Sequence, residues 1–533
     1  MKQYQITVSQ RLNARCLLPF QITFVTIILI AFVSSVFAEV KFASPFTDHM
    51  VLQRDMKVPV WGTANPGEKI QLVFGKQNKS GVADASGKWM IYLDKSKAGG
   101  PFTLTAKGTN TVTLTDIYAG EVWLCSGQSN MDMTVAREDR YWCGVYNEAA
   151  ELAAANYPLI RVFDVDFTPS DTILHNVKGT WEITSPTTVG HFSAAAYFFA
   201  RELYNTLHVP IGLVTTAYGA STAEAWISKK TLEADTAFGK LLQQYNQKKA
   251  VYDTAITARN KYAVDLEKWT TAAATAKEAG KDPPRSPRNP DPSMDQHNPY
   301  VLYNGMVNAL IPYAIRGAIW YQGESNIATK EIYAHIMESL VSNWRKDWCQ
   351  GDFPFIYVQL ANYGKKWDSL PASGGGTNSI REQQLKNLSI PNSAMVVAID
   401  NADDPANIHP KNKQEIGRRL ALAAEAKCYG KKIVYSGPIY KSMKMEGDKI
   451  RLYFDFVGEG LLAKDGPLKS FAIAADDKKF VTADAVIDGE TILVSAPGIT
   501  DPKAVRYAWG DNPRVNFYNK ANLPASPFRT DDW

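Results

Sequence analysis

A chain of 533 residues is long enough for two or three domains, each with a substantial core. Hydrophobic residues at 45% and charged residues at 21% exclude a disordered or fibrous protein. A formal net charge of +4, scattered along the chain, is too small to call for nucleic acid and at most suits an anionic small molecule.

In chain order, Lys2, Arg11 and Arg15 precede an apolar stretch from about Phe24 to Val33, followed by Ser34-Ser35-Val36-Phe37-Ala38. Val36 and Ala38 fit the small-residue positions of a secretory cleavage site, so residues 1–38 are expected to be a signal peptide. The competing reading is an uncleaved anchor over Cys16–Ala38; cleavage is favoured, giving an exported, periplasmic or secreted protein with no stable membrane association. Cys125, Cys143, Cys349 and Cys428 then remain, and their spacing permits disulfides without demanding any. Neither a C-x-x-C pair nor an H-E-x-x-H run occurs, so no metal and no cofactor are expected.

Residues 39–118 read as short strands between turns, as in Trp89-Met90-Ile91-Tyr92-Leu93, and predict a small β-sandwich. From 119 to about 430, apolar strands alternate with amphipathic helices. Strands are expected at 120–125, 159–165, 209–217, 314–321, 354–360 and 394–400, with helices at 192–206, 330–348 and 411–427. That alternation predicts an α/β domain built on a doubly wound parallel sheet. A polar insertion over about 228–300 reads as two antiparallel helices and a Pro-rich return, packed beside the site and solvated, with a lid as the sharper alternative. Residues 431–533 return to β patterning.

The run Leu124-Cys125-Ser126-Gly127-Gln128-Ser129-Asn130-Met131 ends a strand on a glycine turn and presents one serine. Ligands of such sheets bind beyond the carboxyl ends of the strands, where backbone N–H groups can face an oxyanion. A serine nucleophile needs a base, and there are seven histidines. His49 falls in the β-sandwich region, His175 and His191 in a connection, and His208 at the wrong end of a strand. His297 follows the insertion and His335 lies within a helix. His409 remains, after the strand at 394–400 and directly before a helix. Ser129 N–H, the Gly219 N–H and the Gln322 amide, each after a strand, are the expected oxyanion donors.

Gly127-Gln128-Ser129-Asn130-Met131, Trp320-Tyr321-Gln322-Gly323-Glu324-Ser325-Asn326 and Ile408-His409-Pro410-Lys411-Asn412-Lys413 together resemble the sialate O-acetylesterase family. The resemblance covers nearly all of the chain after residue 38. It implies an SGNH-type hydrolase with a flavodoxin-like catalytic domain, flanked here by β-sandwich-like regions. It also implies removal of O-acetyl groups from sugars, typically sialic acids, with Ser129 as nucleophile and His409 as base. Gly219 and Gln322 map onto the oxyanion blocks. One departure stands out: SGNH enzymes commonly carry Asp three residues before the base, where this chain has Ala406, and Asn407 follows. Asp404 or Asp400 could orient His409, or a backbone carbonyl could do so in a Ser–His dyad; Asp404 is preferred. A sialate carboxylate calls for a cation, and Arg381, before the strand leading to His409, is the candidate. The rival functions are an esterase for acetylxylan or another carbohydrate, and a non-catalytic carbohydrate-binding protein.

Overall fold

Six apolar segments, five of them buried along most of their length, make the central parallel sheet. They are β1 (Thr111–Gly127), β2 (Tyr157–Asp164), β4 (Ile211–Ala217), β5 (Gly317–Tyr321), β6 (Phe355–Gln359) and β7 (Ser393–Val397); a short strand, β3 (Trp181–Thr184), pairs antiparallel with β2 at the edge. The order across the sheet is β3-β2-β4-β1-β5-β6-β7. These positions come from a computed structural model that describes residues 39–533 apart from 139, 282, 366–374, 403 and 405. The leader expected over 1–38 lies outside the described residues.

Helices cover both faces of the sheet. On β1, Trp123 packs edge-on against Phe199 of α2 (Ala194–Leu207), with ring centroids 5.1 Å apart. On the neighbouring strand Trp320, in register with Ser126, packs against Trp344 of α3 (Tyr333–Trp348) at 5.9 Å. Positions 123 and 126 point to opposite faces of a strand, so α2 and α3 lie on opposite sides. A fourth helix, α4 (Gly376–Lys386), packs beside α3, and α5 (Lys413–Cys428) packs along α2. The α2–α5 contact is close because Gly417 meets Phe198: a Cβ at 417 would lie 2.4 Å from the Phe198 Cβ.

β1 is unusually long, and its burial changes along its length. It alternates between exposed and half-buried positions at first, then is buried without interruption from Ala119 to Gly127. The first part therefore belongs to a one-sided antiparallel layer and the second to a sheet covered on both faces. This strand runs through the boundary expected between 118 and 119, joining four N-terminal strands and the parallel sheet in one eleven-stranded sheet, while the strands at Lys41–Phe42, Val58–Thr63 and Lys88–Leu93 form a sheet of their own. Residues Glu39–Trp533 accordingly form one compact unit, with further β-sheets after residue 438.

The insertion departs from the expected antiparallel pair. Helices at Gly239–Thr254 and Ile256–Glu278 are separated by Ala255 alone and meet only around that junction. A single intervening residue cannot reverse the chain. The second helix buries no side chain, and the Pro-rich return is tied to it where Trp269 Nε1 donates to Pro284 O at 2.7 Å. All four cysteines among the described residues are free thiols. Among the described residues no helix is long and apolar enough to cross a membrane.

Candidate active site

β1 ends at Gly127, whose φ of +146° is accessible to glycine and strained for other residues; a Cβ there would lie 2.2 Å from Tyr321 O of β5. The chain then turns into one helical turn, α1 (Ser129–Asp132), closed by Met131 and Asp132 N–H on Gln128 O. Ser129 stands at the first position of this turn, ahead of its first bonds, and its N–H meets no acceptor among the described residues. The Gln128 side chain accepts from Gly323 N and Ser325 N, fixing the turn to the loop after β5.

Across the top of the sheet, Ser129 Oγ lies 2.8 Å from His409 Nε2, although 280 positions separate them in the chain. The His409 imidazole rests against the Trp142 ring, centroids 4.7 Å apart and 33° from parallel. Both neighbours of His409 are held by their carbonyls. Asn130 Nδ2 donates to Ile408 O at 3.1 Å, and Lys413 Nζ donates to Pro410 O at 2.6 Å. Asn130 also donates to Glu324 Oε1 at 2.7 Å and accepts from Lys413 Nζ at 2.9 Å. Lys413 is wholly buried, and burial lowers its ammonium to about 7 against the opposing attraction of Glu324. Burial raises the Glu324 carboxyl, and its Oε2 is shut away from solvent without a hydrogen-bond partner among the described residues. Burial, and after it the Lys413 charge, lower the His409 imidazole to about 4. It is therefore neutral at pH 7 and able to take a proton from the Ser129 hydroxyl.

The other side of Ser129 is formed by Gly219 and Asp132. A Cβ at Gly219 would lie 3.7 Å from both Ser129 Cβ and Asp132 Oδ2, and the Gly219 N–H donates to the Asp132 carboxylate. Burial raises the Asp132 carboxyl, opposed by Arg140, whose Nη1 lies 3.2 Å from Asp132 Oδ2.

Three expectations are corrected by where side chains point. The Gln322 amide donates to Ser221 O at 3.1 Å and to Asn326 Oδ1 at 2.6 Å, so both of its N–H groups are spent inside the protein. It braces the loop after β5 instead of facing an oxyanion. Arg381 is fully buried, and its guanidinium donates to four backbone carbonyls, those of Leu360, Ala361, Gly510 and Asp511, at 2.6–2.8 Å. It ties α4 and the end of β6 to the C-terminal β region and offers nothing to a substrate. The Asp404 carboxylate accepts from Ala406 N at 2.9 Å in an exposed turn. Asp400 is held by Arg419 at 2.7 Å and by Tyr518 Oη at 3.0 Å. Among the described residues no carboxylate accepts from His409 Nδ1. Asn130, Glu324 and Lys413 lie inside the three motif runs, and that was the signal available for them; Arg140 and Trp142 lie outside these runs, in Asp139-Arg140-Tyr141-Trp142.

Known proteins resemble this chain in sequence and in fold. The family model described as carbohydrate esterase, sialic acid-specific acetylesterase, matches residues 293–426. Rat sialate O-acetylesterase is 30% identical over 92% of this chain and 94% of its own length, and the human enzyme is 28% identical over 92% of each. A crystal structure of a carbohydrate acetylesterase from Xanthomonas citri superposes with a TM-score of 0.77 at 32% identity, covering 93% of this chain and all of that one. Fold, site and relatives together define a carboxylic ester hydrolase. The chain belongs to the sialate O-acetylesterase family.

Proposed function

We propose that the protein hydrolyses O-acetyl esters of sialic acids through an acetyl-enzyme on Ser129. The observation that carries this reading is the 2.8 Å contact between Ser129 Oγ and a neutral His409 Nε2 at the carboxyl ends of β1 and β7. His409 takes the Ser129 proton as Oγ attacks the acetyl carbonyl, and the oxyanion forms against the Ser129 N–H, with the Gly219 N–H turning to it from Asp132. The tetrahedral intermediate expels the sugar alkoxide, which receives the proton from His409. Water then repeats the sequence on the acetyl ester, releasing acetate and restoring the hydroxyl. The carbonyl clamps on Ile408 and Pro410, and the Trp142 ring, do the orienting that a third triad residue does elsewhere. The chemistry calls for no metal or cofactor.

The strand order supports an SGNH-type, flavodoxin-like core. Counting β1, β4, β5, β6 and β7 as one to five gives the order 2-1-3-4-5, with β2 and β3 added outside. We also read residues 1–38 as an export signal and 39–118, 119–430 and 431–533 as the N-terminal, catalytic and C-terminal regions. Export places the enzyme in a periplasm or outside the cell, where O-acetylated sugars would be its partners.

The test is acetate release from O-acetylated sialic acids and from acetylated xylo-oligosaccharides, with Ser129→Ala as control. Turnover of the sialates, lost by roughly 10⁴-fold in the folded variant, is the expected result. A preference for the xylo-oligosaccharides would transfer the substrate to acetylxylan and leave the mechanism. Full turnover by Ser129→Ala would end the mechanism.

A further inference from the structure

We propose that Arg140, held on Trp142 and Asp132, is the cation that receives the carboxylate of an acidic sugar whose acetyl ester lies at Ser129. The proposal rests on the reading of Ser129 and His409 as the acyl-transfer pair.

Arg140 is tied to that pair from two directions. Its guanidinium carbon lies over the Trp142 ring, 4.9 Å from the centroid, and the same ring contacts the His409 imidazole at 4.7 Å. Its Nη1 reaches Asp132 Oδ2, which also packs against Gly219 beside Ser129. The loop that carries it is closed by Arg140 N on Arg137 O at 3.1 Å and Cys143 N on Arg140 O at 2.8 Å. The side chain is therefore placed before a ligand arrives, which lowers the entropy cost of binding.

Its donors are available. A guanidinium has five N–H groups, and among the described residues only the one bond to Asp132 uses them. The side chain is 33% exposed, so the group opens to solvent. Two other cations near the site cannot serve: Lys413 is sealed and spent on Asn130 and Pro410, and Arg381 is spent on four carbonyls. Asp132 is a competing anion at the same place. Burial raises its carboxyl, and the Arg140 charge opposes that rise. The stacked pair Phe167 and Tyr218 lies next to Gly219 and supplies a second aromatic surface for the sugar's C–H face. The guanidinium and the imidazole contact the same ring, and a single acidic sugar would reach from one to the other between its carboxylate and an acetylated hydroxyl.

The experiment compares the purified full chain on an O-acetylated sialic acid and on the methyl ester of the same sugar, in which the carboxylate is neutral. The wild type should favour the free acid in kcat/KM by about tenfold or more, carried by KM, since a carboxylate–guanidinium contact forms equally in ground and transition states. In Arg140→Met that ratio should collapse towards one, and in Arg140→Lys it should be intermediate, because an ammonium keeps the charge without the fork. Thermal melts confirm that both variants fold. Equal kcat/KM for acid and methyl ester in the wild type would overturn the proposal without any variant and leave the esterase reading intact. So would a folded Arg140→Met that keeps the wild-type ratio. No turnover of either sugar by the wild type would overturn both readings together.

Discussion

Lys413 Nζ donates to Asn130 Oδ1 at 2.9 Å, so the residue that follows the serine is bonded to the residue four positions after the histidine. The same ammonium and the same amide hold the carbonyls on either side of His409. The two halves of the site, which arrive on β1 and after β7, are thus joined by one buried lysine. A buried cation with hydrogen bonds to an amide and a carbonyl, and a carboxylate one residue away, costs desolvation that packing alone would not require.

Lys413→Met keeps the length and removes the donors. Pro410 O and Asn130 Oδ1 lose their partner, and His409 is no longer fixed on Ser129. We expect kcat to fall roughly 10- to 100-fold, the scale of a misplaced catalytic group. The ammonium also opposes a positive imidazole nearby, so its removal should move the acid limb of kcat/KM up towards the ordinary histidine value. A pH–rate profile of the two enzymes checks both effects. An unchanged limb together with an unchanged kcat would remove Lys413 from the positioning role.

The wild-type profile has a definite sign. In the proposed role of base His409 must be neutral, and its folded value of about 4 lies below the ordinary 6.5. Activity should hold as pH falls from neutral through 6 and be lost near 4, where a free imidazole would already be charged about two units higher. The same shift links to stability. Below 6.5 the unfolded chain takes up a proton that the folded one refuses until about 4, so this group's contribution to stability is full above 6.5 and declines through that window. Initial rates on a chromogenic acetate ester across the acid range, with folding followed in parallel, separate the two.

How much of this was legible in the sequence depended on what each signal encodes. Apolar runs mark strands buried on both faces, so the six core strands and the places of Ser129 and His409 at their carboxyl ends could be read directly. Position after a strand does not say where a side chain points. Gln322 follows β5 and turns inward to Ser221 and Asn326; Arg381 lies on α4 and turns inward to four carbonyls. The pattern that suggested a helical hairpin was helical throughout, but only spatial contact reveals that Ala255 does not reverse the chain. Arg140 and Trp142 belong to no periodic element, and nothing local links them to a histidine far along the chain.

Asp404→Asn tests the missing third residue. The carboxylate caps an exposed turn at Ala406 N, a bond that the amide oxygen of asparagine can also accept. We expect kcat within about threefold of wild type, whereas an aspartate that fixes the histidine tautomer costs about 10⁴ when changed to asparagine. A loss on that larger scale would mean that the loop rearranges when substrate binds and that Asp404 reaches His409 Nδ1.

Arg381→Met separates scaffold from recognition. Burial lowers the Arg381 guanidinium to about 10, and four carbonyls, two of them at Gly510 and Asp511, depend on it. Its neighbour in this arrangement is the Asp511 carboxylate, which accepts from Thr377 N and Asn378 N at the start of α4. Removing the cation strands these carbonyls in a dry contact between the catalytic sheet and the C-terminal β region. The loss should be on the order of 3 kcal/mol or more, read as a lower melting temperature and denaturant midpoint. The ratio of KM values for an acidic sugar ester and its neutral methyl ester should stay that of the wild type at a temperature where the variant is folded. A stable variant with a raised KM for the acid alone would return Arg381 to the substrate and take that role from Arg140.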